Sequence, residues 1–528
     1  MKGSTLGGPL DWNFTTTVQP NLEGRKISVN RGKVLGGSSA LNLMTWDRAS
    51  VADYDAWEEL GNPGWNFKTF IAAMEAVETF HPDPRYGTAG VGHSGPIQSL
   101  INRVVPPQQD GFIPALNMLG APNNTESLSG NNIGVMIQPS NVRYSNYTRS
   151  YSPTYLTIAG PNLHVMTNTS VDRIETSSEN GVVTAAGVCI NGATIIKAKK
   201  EVILSAGSVQ TPALLEVSGI GNKSIVEAAG IKSVLDLPGV GENFQDHLRI
   251  QNSYQLKPEY EPAFDELRVN ATYAAEQLGL YNAGKVSEYD YTGSGYSYIT
   301  WGQASGINAT GLTALARQSA DPNNVVDQKK LEYLTTSLNT SVPELEIIFS
   351  DGYTGAGGYP AKNSSRYGQR FFTLIGVVQH PFSRGSIHIN ASNPTGYPII
   401  NPNYLSKPYD LLAITEATKF NRRIAETPAL RKYWIDEYEP GLNTTNTDAE
   451  WTEFARKTTL SIYHPQGTCA MLPKKDNGVV DPMLMVYGTS NLRIVDASVI
   501  PVQPSAHIQT MVYGIAEIAA KIIAASYN

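Results

Sequence analysis

Val202-Ile203-Leu204-Ser205-Ala206-Gly207 is a short apolar run ending in small residues, and Leu492-Arg493-Ile494-Val495-Asp496 is its counterpart far downstream. Each reads as a buried strand followed by a helix-competent stretch. After the first, Thr211 is placed to cap a helix with Pro212 as its first residue. Ala213-Leu214-Leu215-Glu216 continue that helix and Gly219 ends it. Strand, turn and helix in succession are α/β grammar. Between about residues 250 and 450 the pattern turns to strand candidates at Leu345–Phe349, Phe372–Val378 and Gly385–Ile389. The predicted class is therefore α/β with α+β: a nucleotide-binding domain of the Rossmann-like kind, assembled from separated pieces, and a second, sheet-based domain.

The chain has 528 residues and 41% hydrophobic content, too long for one compact core and apolar enough to fold throughout, which predicts two domains. A net charge of −7 with only 16% charged residues gives no basic stripe for phosphates and excludes nucleic acid as a partner. The most apolar stretch, Met511 to Ala525, carries Glu517 and Lys521, so no membrane span is predicted. Two cysteines, Cys189 and Cys469, allow at most one bridge and no disulfide framework. Asn-X-Ser/Thr sequons begin at Asn13, Asn123, Asn146, Asn168, Asn222, Asn270, Asn308, Asn339, Asn363, Asn390 and Asn443, a scatter that suits a glycosylated, secreted protein. Met1-Lys2-Gly3-Ser4 is not a signal peptide.

Arg31-Gly32-Lys33-Val34-Leu35-Gly36-Gly37-Ser38-Ser39 carries paired glycines that let a backbone approach an anion, with serine hydroxyls beside them. A plain turn before a helix would read the same on chemistry alone. With Asn42 and Thr45-Trp46, however, the segment resembles the first signature of the glucose-methanol-choline oxidoreductase family. Ala206-Gly207-Ser208 through Ser218-Gly219-Ile220-Gly221 resembles the second. Leu237-Pro238-Gly239-Val240-Gly241-Glu242-Asn243-Phe244-Gln245-Asp246-His247 and Tyr463-His464-Pro465-Gln466-Gly467-Thr468-Cys469 complete the match in family order. The chain is similar to fungal glucose oxidases and aryl-alcohol oxidases.

The resemblance implies FAD as cofactor. Gly36, Gly37, Ser38, Asn42, Leu43 and Thr45 of the first signature, together with Val171, Asp496, Ala497, Gln509 and Thr510, are the positions expected to meet it. Residues 1–55, 156–250 and 451–528 would form the FAD-binding domain, 56–155 the substrate-domain and lid segments, and 251–450 the substrate-binding domain. Leu41 stands where some relatives carry the histidine that links flavin covalently, so noncovalent FAD is expected. The family's opening strand, Gly-X-Gly-X-X-Gly turn and helix, which hold the ADP half of FAD, have no counterpart here. The sequence then reads either as an incomplete version of a longer protein or as a shortened paralogue, with FAD held more weakly than by a chain carrying that unit. Gly90-Val91-Gly92-His93-Ser94-Gly95 fits the pattern but precedes Pro96 and follows no credible strand, so it reads as a decoy.

Flavin-dependent alcohol oxidation needs the hydroxyl proton removed as hydride leaves carbon, and a histidine base with a hydrogen-bonding partner suits that task. Of eight histidines, His464 and His507 fall on the family's catalytic positions. The resemblance implies His464 as base and His507 as partner, with the roles exchangeable. His81, His93, His164, His247, His380 and His388 keep structural or surface roles, and Cys469 reads as a buried small hydrophobe.

Glucose oxidases place an arginine and an asparagine before the first catalytic histidine, whereas this chain has Leu460, Ser461 and Ile462. A pocket without those hydroxyl partners disfavours glucose. With Ile462 and Tyr463 as substrate-contacting positions and Trp46 near the flavin motif, a primary alcohol of the aryl or low-polarity kind is expected. Oxygen, a quinone or another acceptor would reoxidise the flavin. Two rival functions share these motifs: a flavin-containing enzyme doing non-redox chemistry, such as a cyclase or lyase, and an inactive paralogue.

Overall fold

The computed structural model describes residues 6–260 and 264–527, so the Met1–Ser4 stretch lies outside the described residues. The elements that position the site are α1 (Val51–Glu59), α2 (Phe67–Val77), β1 (Glu78–Phe80), β2 (Gly134–Ile137), β3 (Val202–Leu204), α3 (Gly207–Val217), β4 (Leu248–Leu256), β5 (Gly295–Ile299), β6 (Leu345–Asp351), β7 (Phe371–Val378), α4 (Pro408–Glu426), β8 (Trp434–Glu439), β9 (Leu460–Ser461), β10 (Leu492–Ile494) and α5 (Gln509–Ala525).

Seven strands build the large sheet in the order β8-β4-β7-β6-β5-β2, with β9 beside β4, and every pairing is antiparallel. Side-chain alternation divides its faces. Leu248, Ile250 and Tyr254 of β4, Leu345, Ile347 and Phe349 of β6, and Phe372, Leu374 and Val378 of β7 share one core with α4. The opposite face carries a smaller cluster, Met136, Tyr296, Tyr298, Ile348, Ile375 and Val377, against which Ile462 packs. That second face looks onto the histidines.

The two runs that define the α/β part, β3 and β10, pair in parallel, Leu492 with Val202 and Ile494 with Leu204. A second core joins them to α1, α2 and α5. Ser50 and Asp53 form a capping box on α1, and Tyr54, Trp57, Trp65 and Phe70 stack between α1 and α2 with ring centroids 5.0–5.7 Å apart. Helix α5 buries Met511, Ile515 and Ala519, one face at helical spacing. Gly514 lets α2 come close, since a Cβ there would sit 3.1 Å from Met74 Cγ.

Two expectations are corrected. Helix α3 begins at Gly207, not at Pro212, which lies inside it; Ala206 precedes it without a side-chain cap. Proline at 212 cannot donate to the Ser208 carbonyl one turn back, and the Thr468 hydroxyl donates there instead, at 2.6 Å. Thr211 accepts from the Ala206 N–H and donates to Asp496. The Gly385–Ile389 candidate also stays out of the large sheet: Ser386–His388 pairs only with Ile399–Asn401 in a two-stranded ribbon.

The Gly90–Gly95 stretch is indeed packing rather than phosphate binding. A Cβ on Gly92 would lie 2.2 Å from the Glu75 carbonyl oxygen, and one on Gly95 2.0 Å from the Val77 carbonyl carbon. The glycines let this loop lie directly on the junction of α2 and β1. Both cysteines are buried and free, and burial pushes the Cys469 thiol up, as a small hydrophobe requires. Among the described residues no helix is long and apolar enough to cross a membrane.

Candidate active site

The glycine turn is a tight fold of backbone on backbone. Gly36 and Gly37 adopt φ of +95° and +54°, and a Cβ on Gly32 would strike the Gly37 carbonyl oxygen at 2.2 Å. Ser38 accepts from the Gly32 N–H at 3.2 Å. Arg149 closes the far side by donating to the Ser39 carbonyl at 3.0 Å and the Asn42 carbonyl at 2.7 Å. The turn is tied to the C-terminal residues: Arg31 donates to the Tyr463 carbonyl, Asn42 bonds the Gln509 side chain, and Thr510 donates to the Asp47 carbonyl. Residues more than four hundred positions apart in sequence therefore share one site.

Three features fit a bound FAD. No atom lies within 4 Å of a Cβ built on Gly37 or on Gly207, so both left-handed glycines face open space. Helix α5 starts after Ile508 with no side-chain cap, leaving the first-turn N–H groups of Gln509 and Thr510 for an electron-rich partner. Leu43 is 73% exposed beside the turn. Thr45, by contrast, is buried with its hydroxyl 2.7 Å from that of Tyr296. Asp496 already serves the protein: its carboxylate accepts from the Gly207 N–H at 2.9 Å, the Thr211 hydroxyl at 2.6 Å and the Ser498 N–H at 2.8 Å. Ala497 follows it, its carbonyl accepting from Gly467. Val171 opens a strand of a separate three-stranded sheet, paired with Ile190. Leu41 is buried.

The histidines meet above this turn. The rings of His464 and His507 stand 4.8 Å apart, centroid to centroid, nearly perpendicular. Behind His464 lies His247, with 2.8 Å between the two Nδ1 atoms, and His247 Nε2 is 3.0 Å from the Pro504 carbonyl oxygen. A carbonyl only accepts, so His247 Nε2 carries the proton. Burial holds His247 neutral, its pKa well below the usual value, so its Nδ1 is a lone pair. His464 must then donate from Nδ1. Burial first, and the neighbouring positive charge of His507 second, push the His464 pKa well down, so this ring too is neutral and its lone pair sits on Nε2. Asp246 fixes the backbone, accepting from the His464 N–H at 2.9 Å. Tyr463, at φ +68°, makes the turn that delivers the ring.

His507 has the opposite environment. Its Nδ1 lies 2.8 Å from Asp47 Oδ2 and 3.5 Å from Glu346 Oε1, and its N–H donates to the same Asp47 oxygen. Burial opposes a charge on the ring, but the Glu346 and Asp47 carboxylates outweigh it and raise the His507 pKa to about 9. Burial lifts Glu346 itself to about 7. The pair is thus one neutral imidazole with an unbonded Nε2 and one imidazolium.

His247, Asp47 and Glu346 escaped the sequence reading. His247 stood in a quoted motif but kept a structural assignment. A glutamate inside Leu345-Glu346-Ile347-Ile348 was the available signal, because a charge on a buried strand needs a partner. Asp47 gave no local sign.

Family models described as GMC oxidoreductase match residues 11–249 and 381–516. The protein is an enzyme of the FAD-dependent oxidoreductase class. It aligns with the GMC oxidoreductase family protein Mala s 12 of Malassezia sympodialis, at 33% identity over 98% of this chain and 84% of the relative. The chain belongs to the GMC oxidoreductase family. Its fold superposes on an FAD-dependent oxidoreductase from Chaetomium thermophilum with a TM-score of 0.87 at 28% identity, covering 98% of this chain and 91% of the other. A fungal aryl-alcohol oxidase follows, with a TM-score of 0.84 at 27% identity over 98% and 90% of the two chains.

Proposed function

We propose that the chain oxidises the CH–OH group of an aryl or other low-polarity primary alcohol to the aldehyde, after which oxygen, a quinone or another acceptor takes the electrons. The observation that carries this is the geometry of the two histidines, 4.8 Å apart, with His464 held at Nδ1 by His247 and His507 held at Nδ1 by Asp47 and Glu346. FAD, when bound by the glycine turn, Asn42 and the α5 N-terminus, supplies the hydride acceptor. His464 Nε2 takes the hydroxyl proton, and His507 donates a hydrogen bond from Nε2 to the oxygen as its negative charge grows. Asp47 holds that donor charged. His247 holds the base in the right tautomer, with its proton on Nδ1 and its lone pair on Nε2. The N–H groups of Gln509 and Thr510 favour negative charge at the helix end. Ile462, packed on the apolar sheet face with Ile348 and Ile375, supports a low-polarity substrate.

The test is anaerobic mixing of FAD-loaded protein with an alcohol panel while flavin absorbance is followed. Aryl and unsaturated primary alcohols should bleach it with higher second-order constants than glucose. A larger constant for glucose than for every aryl alcohol would overturn the substrate class. Absence of bleaching by all alcohols would favour a cyclase or lyase.

The sequons support a secreted glycoprotein. Asn222 and Asn390 are half-buried, and the other nine sequon asparagines are exposed. At Asn222 and Asn308 the Oδ1 atom caps a helix while Nδ2, the atom that would carry a glycan, makes no cap bond. Protein from its own cells should lose mass on treatment with peptide N-glycosidase; an unchanged mass would contradict the assignment.

A further inference from the structure

Leu248 and Ile250 of β4 point into the core beneath α4, so His247, Arg249 and Gln251 occupy the face that looks onto the histidines. Arg249 lies two residues, about 7 Å, along the strand from His247. Its Nε donates to the Ser461 carbonyl at 3.1 Å, its Nη2 is 3.5 Å from the Tyr463 hydroxyl, and its guanidinium carbon is 5.4 Å from the centre of that ring. These contacts aim it at the segment that delivers His464. The guanidinium is half-exposed, as are Ile462 and Tyr463 beside it.

Among the described residues no carboxylate lies within ion-pair distance of Arg249. Arg370, Arg366, Arg422 and Arg384 around the large sheet are matched with Glu266, Asp436, Glu437 and Asp327, whereas Arg31, Arg423 and Arg431 spend donors on backbone carbonyls. An arginine without an acid at the margin of the catalytic face, with its guanidinium beside the Tyr463 ring, has the donors to pair with an anion. Sheet register defines what lies between. Arg249 is opposite Val377, and Val377 is opposite Glu346, the carboxylate behind His507. Two strand spacings, about 10 Å, separate Arg249 from Glu346. Val377 and, in the next row, Ile375 lie between them, buried in the apolar cluster against which Ile462 packs. Gln251, opposite Ile375, is buried with its Oε1 unbonded.

We propose that Arg249 is a substrate-anchoring residue that pairs with a carboxylate on the aromatic ring of the alcohol, on the side away from the hydroxymethyl group that meets His464. The proposal rests on the alcohol-oxidising function above and narrows its substrate class. The half-buried Ile462 takes the ring, the histidine pair takes the hydroxyl, and the planar fork of the guanidinium takes both oxygens of the acid. Because the pairing is present in the bound ground state, it acts on affinity and on kcat/KM rather than on the reduction rate at saturation.

The test compares 4-(hydroxymethyl)benzoate with its methyl ester, which has the same ring and hydroxyl but no charge, in FAD-loaded protein. The acid should reduce the flavin with a second-order constant at least tenfold above that of the ester. Arg249→Leu should remove the preference, with a loss of tens-fold to a hundredfold for the acid against a much smaller change for the ester. Arg249→Lys should restore part of it, and Arg249→Gln offers a polar replacement should leucine impair folding. Calorimetric titration with benzoate, which has nothing to oxidise, should show tens-fold weaker binding in Arg249→Leu or Arg249→Gln. That arm decides the anchor even if no alcohol reduces the flavin, a result that would remove the redox function and leave the anion site standing. An ester reduced as fast as the acid by the parent protein, or benzoate binding unaltered in both variants, overturns the proposal.

Discussion

His464→Ala should leave the absorbance spectrum of FAD-loaded protein unchanged and slow anaerobic bleaching by an aryl alcohol about a hundredfold or more, the scale of a lost general base. The structure argues for this size of effect because nothing nearby can replace the base. His247 lies behind His464, its Nδ1 a full imidazole ring away from the place of the His464 Nε2, and its other nitrogen is held by the Pro504 carbonyl. His507 is an imidazolium, with no lone pair to give until pH approaches about 9. His507→Ala should also slow bleaching, and removing both should cost much less than the product of the single effects, since base and donor act on the same oxygen. The pH profile supplies an independent check. The His464 pKa is depressed, so the base is lost only at a pH well below the usual histidine value. The His507 pKa is raised, so its proton is present below about 9 and lost above it. Reduction should therefore be flat across neutral pH and fall as pH rises through about 9. Asp47→Asn should move that alkaline fall to lower pH. Unchanged bleaching in both single variants would show that the histidines are structural.

Glu78→Ala should destabilise the fold by about 3–5 kcal/mol. Glu78 begins β1, fully buried, with its carboxylate 2.7 Å from Arg48 Nη2, itself fully buried. The same carboxylate accepts from Trp46 Nε1 at 2.7 Å, the Ser99 hydroxyl at 2.5 Å and the Gly92 N–H at 3.0 Å. Alanine would strand one guanidinium and three neutral donors away from water, which is costlier than never having placed a charge there. Glu78→Gln, keeping hydrogen-bond capacity without charge, should fall between parent and alanine. Replacing both partners, as in Arg48→Met with Glu78→Leu, should hurt less than Glu78→Ala alone. Thermal unfolding followed by circular dichroism is the measurement, and a Glu78→Ala midpoint within a degree of the parent would refute the argument.

The sequence disclosed those parts whose cause is local. Alternation located β6 and β7. Glycine pairs located the turn at residues 36 and 37, where left-handed φ favours glycine. Helix α3 was misplaced at its start because proline reads as a first-turn residue, and only the distant Thr468 hydroxyl makes an internal proline tolerable. Gly385–Ile389 has the alternation of a sheet strand, but pairing partners are not written in a single strand. The family motifs named His464 and His507. Their opposite protonation could not be read, because it depends on Asp47, Glu346 and His247, which folding alone brings to them.

The line of rings behind His464 ends on the Pro504 carbonyl, and that ending sets the traffic of the site. A carbonyl oxygen has no proton to exchange, so nothing accepted at His464 can be handed backwards through the protein to bulk water. In the proposed reaction, a proton taken at His464 Nε2 therefore leaves on the side from which it came, the side that faces His507.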